Sequence, residues 1–217
     1  MKDTYRTLAA PAEGEFKDRG SKFIAYVFPV YSEEDWQNAL GEVRKIHPKA
    51  RHFCYAYRLG LTGDNFRAND DGEPSGTAGK PMLGQIDSFD LTNVFAVCVR
   101  YFGGTLLGTS GLINAYREAT KAAFSAAQII EKTVEDLYRL TFDYALMSNV
   151  MNTVKAENLE MVNKDFGVRG KVDIAVRQSE TEEKLRILRA GIAGTRIEEV
   201  PDLENIEGLE MDFLGTR

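Results

Sequence analysis

Cysteine and histidine are both scarce in this chain of 217 residues, and each shortage removes a class of protein. Only Cys54 and Cys98 occur, each inside an apolar strand-like run, so a disulfide scaffold is excluded and both thiols are expected reduced and buried. With only His47 and His52, and no C-x-x-C pair, a structural zinc site has too few ligands, and no metal or cofactor is expected. Long hydrophobic runs are missing too. None approaches the ~18 to 20 apolar residues of a membrane helix, and M-K-D-T-Y-R-T-L has no apolar signal core. A soluble cytoplasmic protein without membrane contact is the expectation. There is no internal repeat and no low-complexity segment.

An excess of positive charge is likewise absent. The net charge is -6, which argues against nonspecific nucleic-acid binding driven by neutralised phosphates. The distribution is uneven: residues 1–134 hold 16 Lys and Arg against 16 Asp and Glu, and residues 135–217 hold 11 against 17. Much of the surplus acid lies from Glu198 to Asp212 and reads as a solvated tail, whereas the neutral first part leaves room for a local basic patch.

What is present is 43% hydrophobic sequence, enough for two small cores. Phe23 to Val30 reads as a strand. Ser32 then opens an S-x-x-D cap, and Trp36, Leu40, Val43 and His47 share a helical face until Pro48. His52 to Leu59 and Val94 to Tyr101 read as strands, and Thr77 is expected to cap a short helix with Pro81 in its first turn. Thr109 to Phe124 carries a helical stripe, and Gln128 to Val134 a strand. Beyond it, a strand at Leu137–Asp143, a helix at Ala145–Ala156, strands at Leu159–Phe166 and Val168–Val176, a helix capped by Ser179 with Glu182 and ended by Gly191, and a last strand at Thr195–Val200 or Leu209–Phe213 give the ferredoxin-like order βαββαβ. The expected fold class is α+β, with domains at 1–134 and 135–217.

Two passages are unlike core-building sequence. N-D-D-G-E-P-S-G-T-A-G-K-P-M runs from Asn69 to Met82, and R-Y-F-G-G-T-L-L-G-T-S-G-L from Arg100 to Leu112. The segment Gly103 to Ser110 has P-loop spacing except that Thr109 stands where the lysine belongs, so the phosphate clamp of a nucleotide triphosphatase is missing. A helix amino terminus there still attracts anions, while Gly103, Gly104 and Gly108 equally suit a bare tight turn. Lys80 and Arg100 with Gly103, Gly104, Gly108, Thr109 and Ser110 are the candidate anion or nucleic-acid site; both cations would serve as well in ion pairs. Asp70, Asp71 and Glu73 form a possible acidic cluster, in which turn formation competes with cation binding. No catalytic residue is assigned. His52 and Cys54 project from one strand face, but no third group orients them. The alternation of Phe53, Tyr55 and Tyr57 suits a core better than a base-stacking platform, and the D-F-G at Asp165 to Gly167 lacks the companion motifs of a kinase.

The blocks R-G-S-K-F-I-A (Arg19 to Ala25), H-F-C-Y-A-Y-R (His52 to Arg58), D-D-G-E-P-S-G-T-A-G-K-P-M-L (Asp70 to Leu83) and V-R-Y-F-G-G-T-L-L-G-T-S-G-L (Val99 to Leu112) resemble the signature of the IMPACT family. The resemblance implies a first domain like the second domain of the fifth small-subunit ribosomal protein, a sheet with helices on one side shared with translation factors. It implies a second domain like the ferredoxin-like carboxy-terminal part of elongation factor G. Eukaryotic members resemble regulators of an amino-acid-starvation kinase acting on translation initiation, through an additional amino-terminal domain, so that mechanism is not expected to carry over. The expected function is a noncatalytic binding protein linked to translation regulation, with RNA, ribosome or a translation factor as partner. The alternatives are a small enzyme acting on a phosphorylated metabolite, with Asp70 or Asp71 as base or metal ligand, and a purely protein-binding module using the second domain's sheet.

Overall fold

The computed structural model describes residues 3–198 and 206–217. They divide into two compact units, 5–132 and 133–217, the latter taking in Asp3 and Thr4. Apart from the terminal residues Thr4 and Thr133 of its outer strands, the first contains, in chain order, β1 (Thr4–Leu8), β2 (Ala12–Asp18), β3 (Ser21–Pro29), α1 (Glu33–Ile46), β4 (His52–Leu59), β5 (Asn65–Asn69), α2 (Gly79–Ser88), β6 (Val94–Tyr101), α3 (Gly108–Ala126) and β7 (Ile129–Thr133). Strands β2-β3-β6-β4-β5 form an antiparallel sheet, and β1 pairs with β7 in a separate ribbon.

Because side chains alternate along a strand, β4 and β6 present two different apolar faces. Cys54, Ala56, Ala96 and Cys98 pack beneath Met82 and Ile86 of α2 and Ala115, Tyr116 and Ala119 of α3. Tyr55, Tyr57, Phe95 and Val97 pack against Trp36, Leu40 and Val43 of α1. The expectation of helices on one side describes α2 and α3; α1 adds a layer opposite, because the aromatic face needs cover as much as the other. Trp36 stacks on Tyr55 and Tyr57, with centroids 5.3 Å away in each case, so the aromatic alternation builds core.

Local chemistry sets the helix ends. Asp35 N–H donates to Ser32 Oγ at 3.1 Å and Ser32 N–H to Asp35 Oδ2 at 3.0 Å, a reciprocal capping box. Glu33, Glu34 and Asp35 in the first turn of α1 and Arg44 and Lys45 in the last complement the helix dipole. The α2 cap is a correction. Thr77 Oγ1 donates to the Pro74 carbonyl at 2.6 Å, and the Asp70 carboxylate takes the cap instead, accepting N–H groups from Gly76, Ala78 and Gly79 at 2.8, 3.0 and 2.9 Å. An ionised acceptor outcompetes a hydroxyl for those orphan donors.

The second unit contains β8 (Glu135–Phe142), α4 (Met147–Ala156), β9 (Glu160–Phe166), β10 (Gly170–Arg177), α5 (Thr181–Ala193) and β11 (Leu209–Thr216). Its antiparallel sheet has the order β11-β8-β10-β9, and Leu140, Phe142, Val172 and Ile174 meet Val150, Val154, Leu188 and Ile192 of the helices. This is the ferredoxin-like βαββαβ arrangement. Two expectations at α5 are corrected. No side chain caps its first turn, Ser179 donating instead to Asp3. Gly191 lies inside the helix, because a Cβ there would sit 2.5 Å from Thr153 Oγ1 where α4 passes; Gly194, at φ 69°, ends it. Of the two final-strand segments, 209–216 is the strand, which draws the end of the expected acidic tail into the sheet. Residues 199–205 of both expectations lie outside the described residues. The D-F-G tripeptide spans the end of β9 and the turn after it.

Candidate basic pocket of the first unit

Antiparallel pairing of β4 with β6 sets His52 opposite Arg100 and Cys54 opposite Cys98. The two passages singled out by composition therefore meet at one end of the sheet. Most of their conspicuous side chains bind one another. Arg100 Nη1 donates to both Glu73 oxygens, at 2.7 and 2.9 Å, with the side chains only 9% and 3% exposed. Tyr116 O–H adds a third donor to Glu73 at 2.8 Å. A buried carboxylate requires such compensation, since its desolvation otherwise opposes folding.

The remaining acids are held as closely. Asp71 Oδ2 accepts the Phe53 N–H at 2.7 Å, its own N–H donates to Asn69 Oδ1 at 2.8 Å, and its carbonyl accepts from His52 Nδ1 at 2.9 Å. A carbonyl only accepts, so the proton of neutral His52 is on Nδ1. Cys54 Sγ lies 2.9 Å from the Asp70 carbonyl and 3.3 Å from Tyr116 Oη. Burial pushes the Cys54 and Cys98 thiols up, away from the thiolate a nucleophile needs, and raises the Tyr116 phenol likewise. His52 and Cys54 thus share a strand face without forming a nucleophile and base. Among the described residues, no group of three or more His, Cys, Asp or Glu could hold a metal ion.

The glycine turn has a steric cause. A Cβ on Gly103 would lie 1.9 Å from the Gly20 carbonyl carbon, and Gly103 N–H donates to Ser21 Oγ at 3.1 Å, so the end of β6 is locked against the β2–β3 turn. Gly104 and Gly108 have φ of 87° and 69°, and α3 begins at Gly108 with no side-chain cap, leaving Thr109 and Ser110 exposed in its first turn. Lys80 is exposed on α2.

Beside this bonded cluster opens a pocket of about 510 Å³ lined by Lys49, Arg51, His52, Arg100, Tyr101, Phe102 and Leu106. It takes in Arg100 and Leu106 of the glycine turn but not Lys80. Lys49 and Arg51, which sequence reasoning did not single out, are exposed and make no ion pair among the described residues. With Arg100 neutralised by Glu73, they carry the surplus charge. Their only mark in the sequence is the K-A-R run directly before β4, two charges in a loop. Phe102 is 59% and Leu106 82% exposed, and the Arg100 guanidinium lies 5.6 Å from the Phe102 ring centroid and 5.5 Å from that of Phe23.

Fold and site together define a two-unit α+β protein with an ion-paired core under a basic, aromatic-edged pocket. The profile described as the Impact N-terminal domain matches residues 19–124. The IMPACT family member YvyE of Bacillus subtilis is 31% identical over 181 residues, covering 83% of each chain. The IMPACT family member YigZ of Escherichia coli is 34% identical over 160 residues, covering 73% of this chain and 78% of its own. Protein IMPACT of Xenopus laevis is 39% identical over 97 residues, which is 42% of this chain and 30% of that one. A crystal structure described only as that of a hypothetical protein superposes with a TM-score of 0.71 over 97% of both chains, at 28% identity. The chain belongs to the IMPACT family.

Proposed function

We propose that the protein is a noncatalytic, cytoplasmic binding protein that holds RNA in the pocket of its first unit and acts in translation regulation. One observation carries the reading: Lys49 and Arg51 stand exposed and unpaired in ion terms among the described residues, beside a pocket edged by Phe102, in a unit without excess positive charge. Phosphate backbones are bound by such free cations, and an aromatic edge adds affinity for bases. The noncatalytic part draws support from the bonding of Asp70, Asp71 and Glu73 within the fold and from the depressed acidity of Cys54. The translation part draws support from family membership. In this reading phosphates run from Lys49 and Arg51 past Arg100 toward the N–H groups of Gly108, Thr109 and Ser110, and Lys80 is a peripheral contact.

The test is fluorescence anisotropy of a labelled RNA 12-mer over a salt series. Lys49→Ala and Arg51→Ala should each weaken binding about ten- to hundredfold, as expected for one charge-assisted contact of ~1.5 to 3 kcal/mol, and the double variant should lower the salt slope by about 1.4. Lys80→Ala should have a smaller effect. Unchanged affinity and slope in the double variant would remove the proposal, and cell fractionation tests the compartment.

A further inference from the structure

Resting on that reading, we infer that the pocket takes single-stranded RNA, with one unpaired base stacked on Phe102. Lys49 and Arg51 explain attraction to any phosphate chain; they do not explain why an aromatic ring is kept 59% exposed among them. The ring is also held in place. It directly precedes Gly103, whose backbone is pressed against Gly20 too closely to admit a Cβ and donates to Ser21 Oγ. From one side it is backed by the Arg100 guanidinium at 5.6 Å, itself fixed by two bonds to Glu73. A fixed ring with a solvated face loses little conformational entropy when a flat partner stacks on it, and a cation nearby strengthens the stack.

The geometry discriminates between forms of RNA. In an A-form duplex the base faces are buried in the stack, and the wide minor groove shows edges and 2′-hydroxyls only. A single ring set in a recess can therefore reach a base face only where the base is unpaired. The recess has room for one nucleotide, at about 510 Å³ within the range of ordinary ligand sites. Because Lys49, Arg51, Phe102 and Leu106 are all exposed, the strand can continue beyond it on both sides. Stacking uses the π-face that every base has, so the preference expected is for strandedness over sequence.

The test compares a labelled oligouridylate 12-mer, an oligoadenylate 12-mer and a mixed-sequence 12-base-pair RNA duplex on the full chain. Both single strands should bind at least tenfold more tightly than the duplex. Phe102→Ala should cost about five- to hundredfold on the single strands and leave the salt slope unchanged, unlike the Lys49 and Arg51 variants. Phe102→Trp should retain binding, and its indole emission should be quenched on titration with oligoadenylate; the natural chain has one tryptophan, the buried Trp36, so the change is assignable. Equal binding of duplex and single strand, or Phe102→Ala binding like the natural chain while the cation variants are weakened, overturns the base seat and leaves the RNA reading standing. Binding of neither form overturns both.

Discussion

Replacing Arg100 by Met tests whether the core under the pocket is an ion-paired unit. The substitution keeps most of the apolar stem but removes the guanidinium that lies over Phe23 and Phe102 and with it both bonds to Glu73, whose carboxylate is left 3% exposed with one bond, from Tyr116. Breaking one side of a buried pair costs about 3 to 5 kcal/mol, because the partner charge stays desolvated. Arg100 Nε is itself buried without a partner, and the change relieves that group, which puts the expectation at about 3 kcal/mol. For a chain of this length that is a fall of about 6 to 12 °C in Tm. Urea denaturation followed by circular dichroism and by Trp36 emission reads it directly, since Trp36 lies in the same unit. Adding Glu73→Gln should recover at least half of the loss, since the amide carries no charge to strand. The reasoning fails if Arg100→Met stays within about 1 kcal/mol of the natural chain, or if the added Glu73→Gln makes matters worse. The double variant also separates roles: refolded but unable to bind RNA, it would assign Arg100 to the ligand as well as to the core.

Asp70→Ala should destabilise by about 2 kcal/mol or more in the same urea assay, by orphaning three N–H groups at the start of α2. Asp70→Asn, with one acceptor oxygen left, should cost about half as much. His47 binds Tyr26 Oη at 2.9 Å and Tyr101 Oη at 2.8 Å, and burial, then Lys22, holds its pKa below the ordinary value of 6.5 while Glu13 opposes them. The unfolded chain therefore takes up this proton first, so the contribution of neutral His47 is complete above about pH 6.5 and declines as pH falls toward the lowered folded value. His47→Gln should flatten the dependence of the urea midpoint between pH 7.5 and 5 relative to the natural chain, and an identical profile would refute the assignment. Thiol titration should find Cys54 and Cys98 slow in the native protein and two thiols on denaturation; rapid native reaction would contradict the raised thiol pKa values. A chain of residues 5–132 produced alone should melt cooperatively, and its failure to fold would refute the proposal that the first unit is an independent domain.

Sequence patterns revealed what neighbours in the chain decide. The α1 helix was legible because Ser32, Asp35, the stripe from Trp36 to Val43 and Pro48 all lie within 17 residues, and β4 and β6 because both of their faces are apolar. Strands β1, β2 and β5 were not read. The last two are sheet edges: the side chains of N-F-R-A-N are mostly solvated, and although A-E-G-E-F-K-D alternates half-buried Ala12, Gly14 and Phe16 with exposed Glu13, Glu15 and Lys17, a glycine and four charges in seven residues leave little apolar signal. What crosses between distant segments was equally hidden: the Asp70 cap of α2, Gly191 where α4 passes α5, and Gly103 against Gly20. The same limit shaped the site. Glycines and clustered charges stand out in a sequence whether they serve a ligand or each other, and the register His52 to Arg100 decides which is possible by bringing Glu73 within reach of Arg100. Lys49 and Arg51 had no feature beyond being charged, and charge in a loop is ordinary. Their place beside an exposed ring arises from strand pairing between residues 48 apart, information that no local pattern contains.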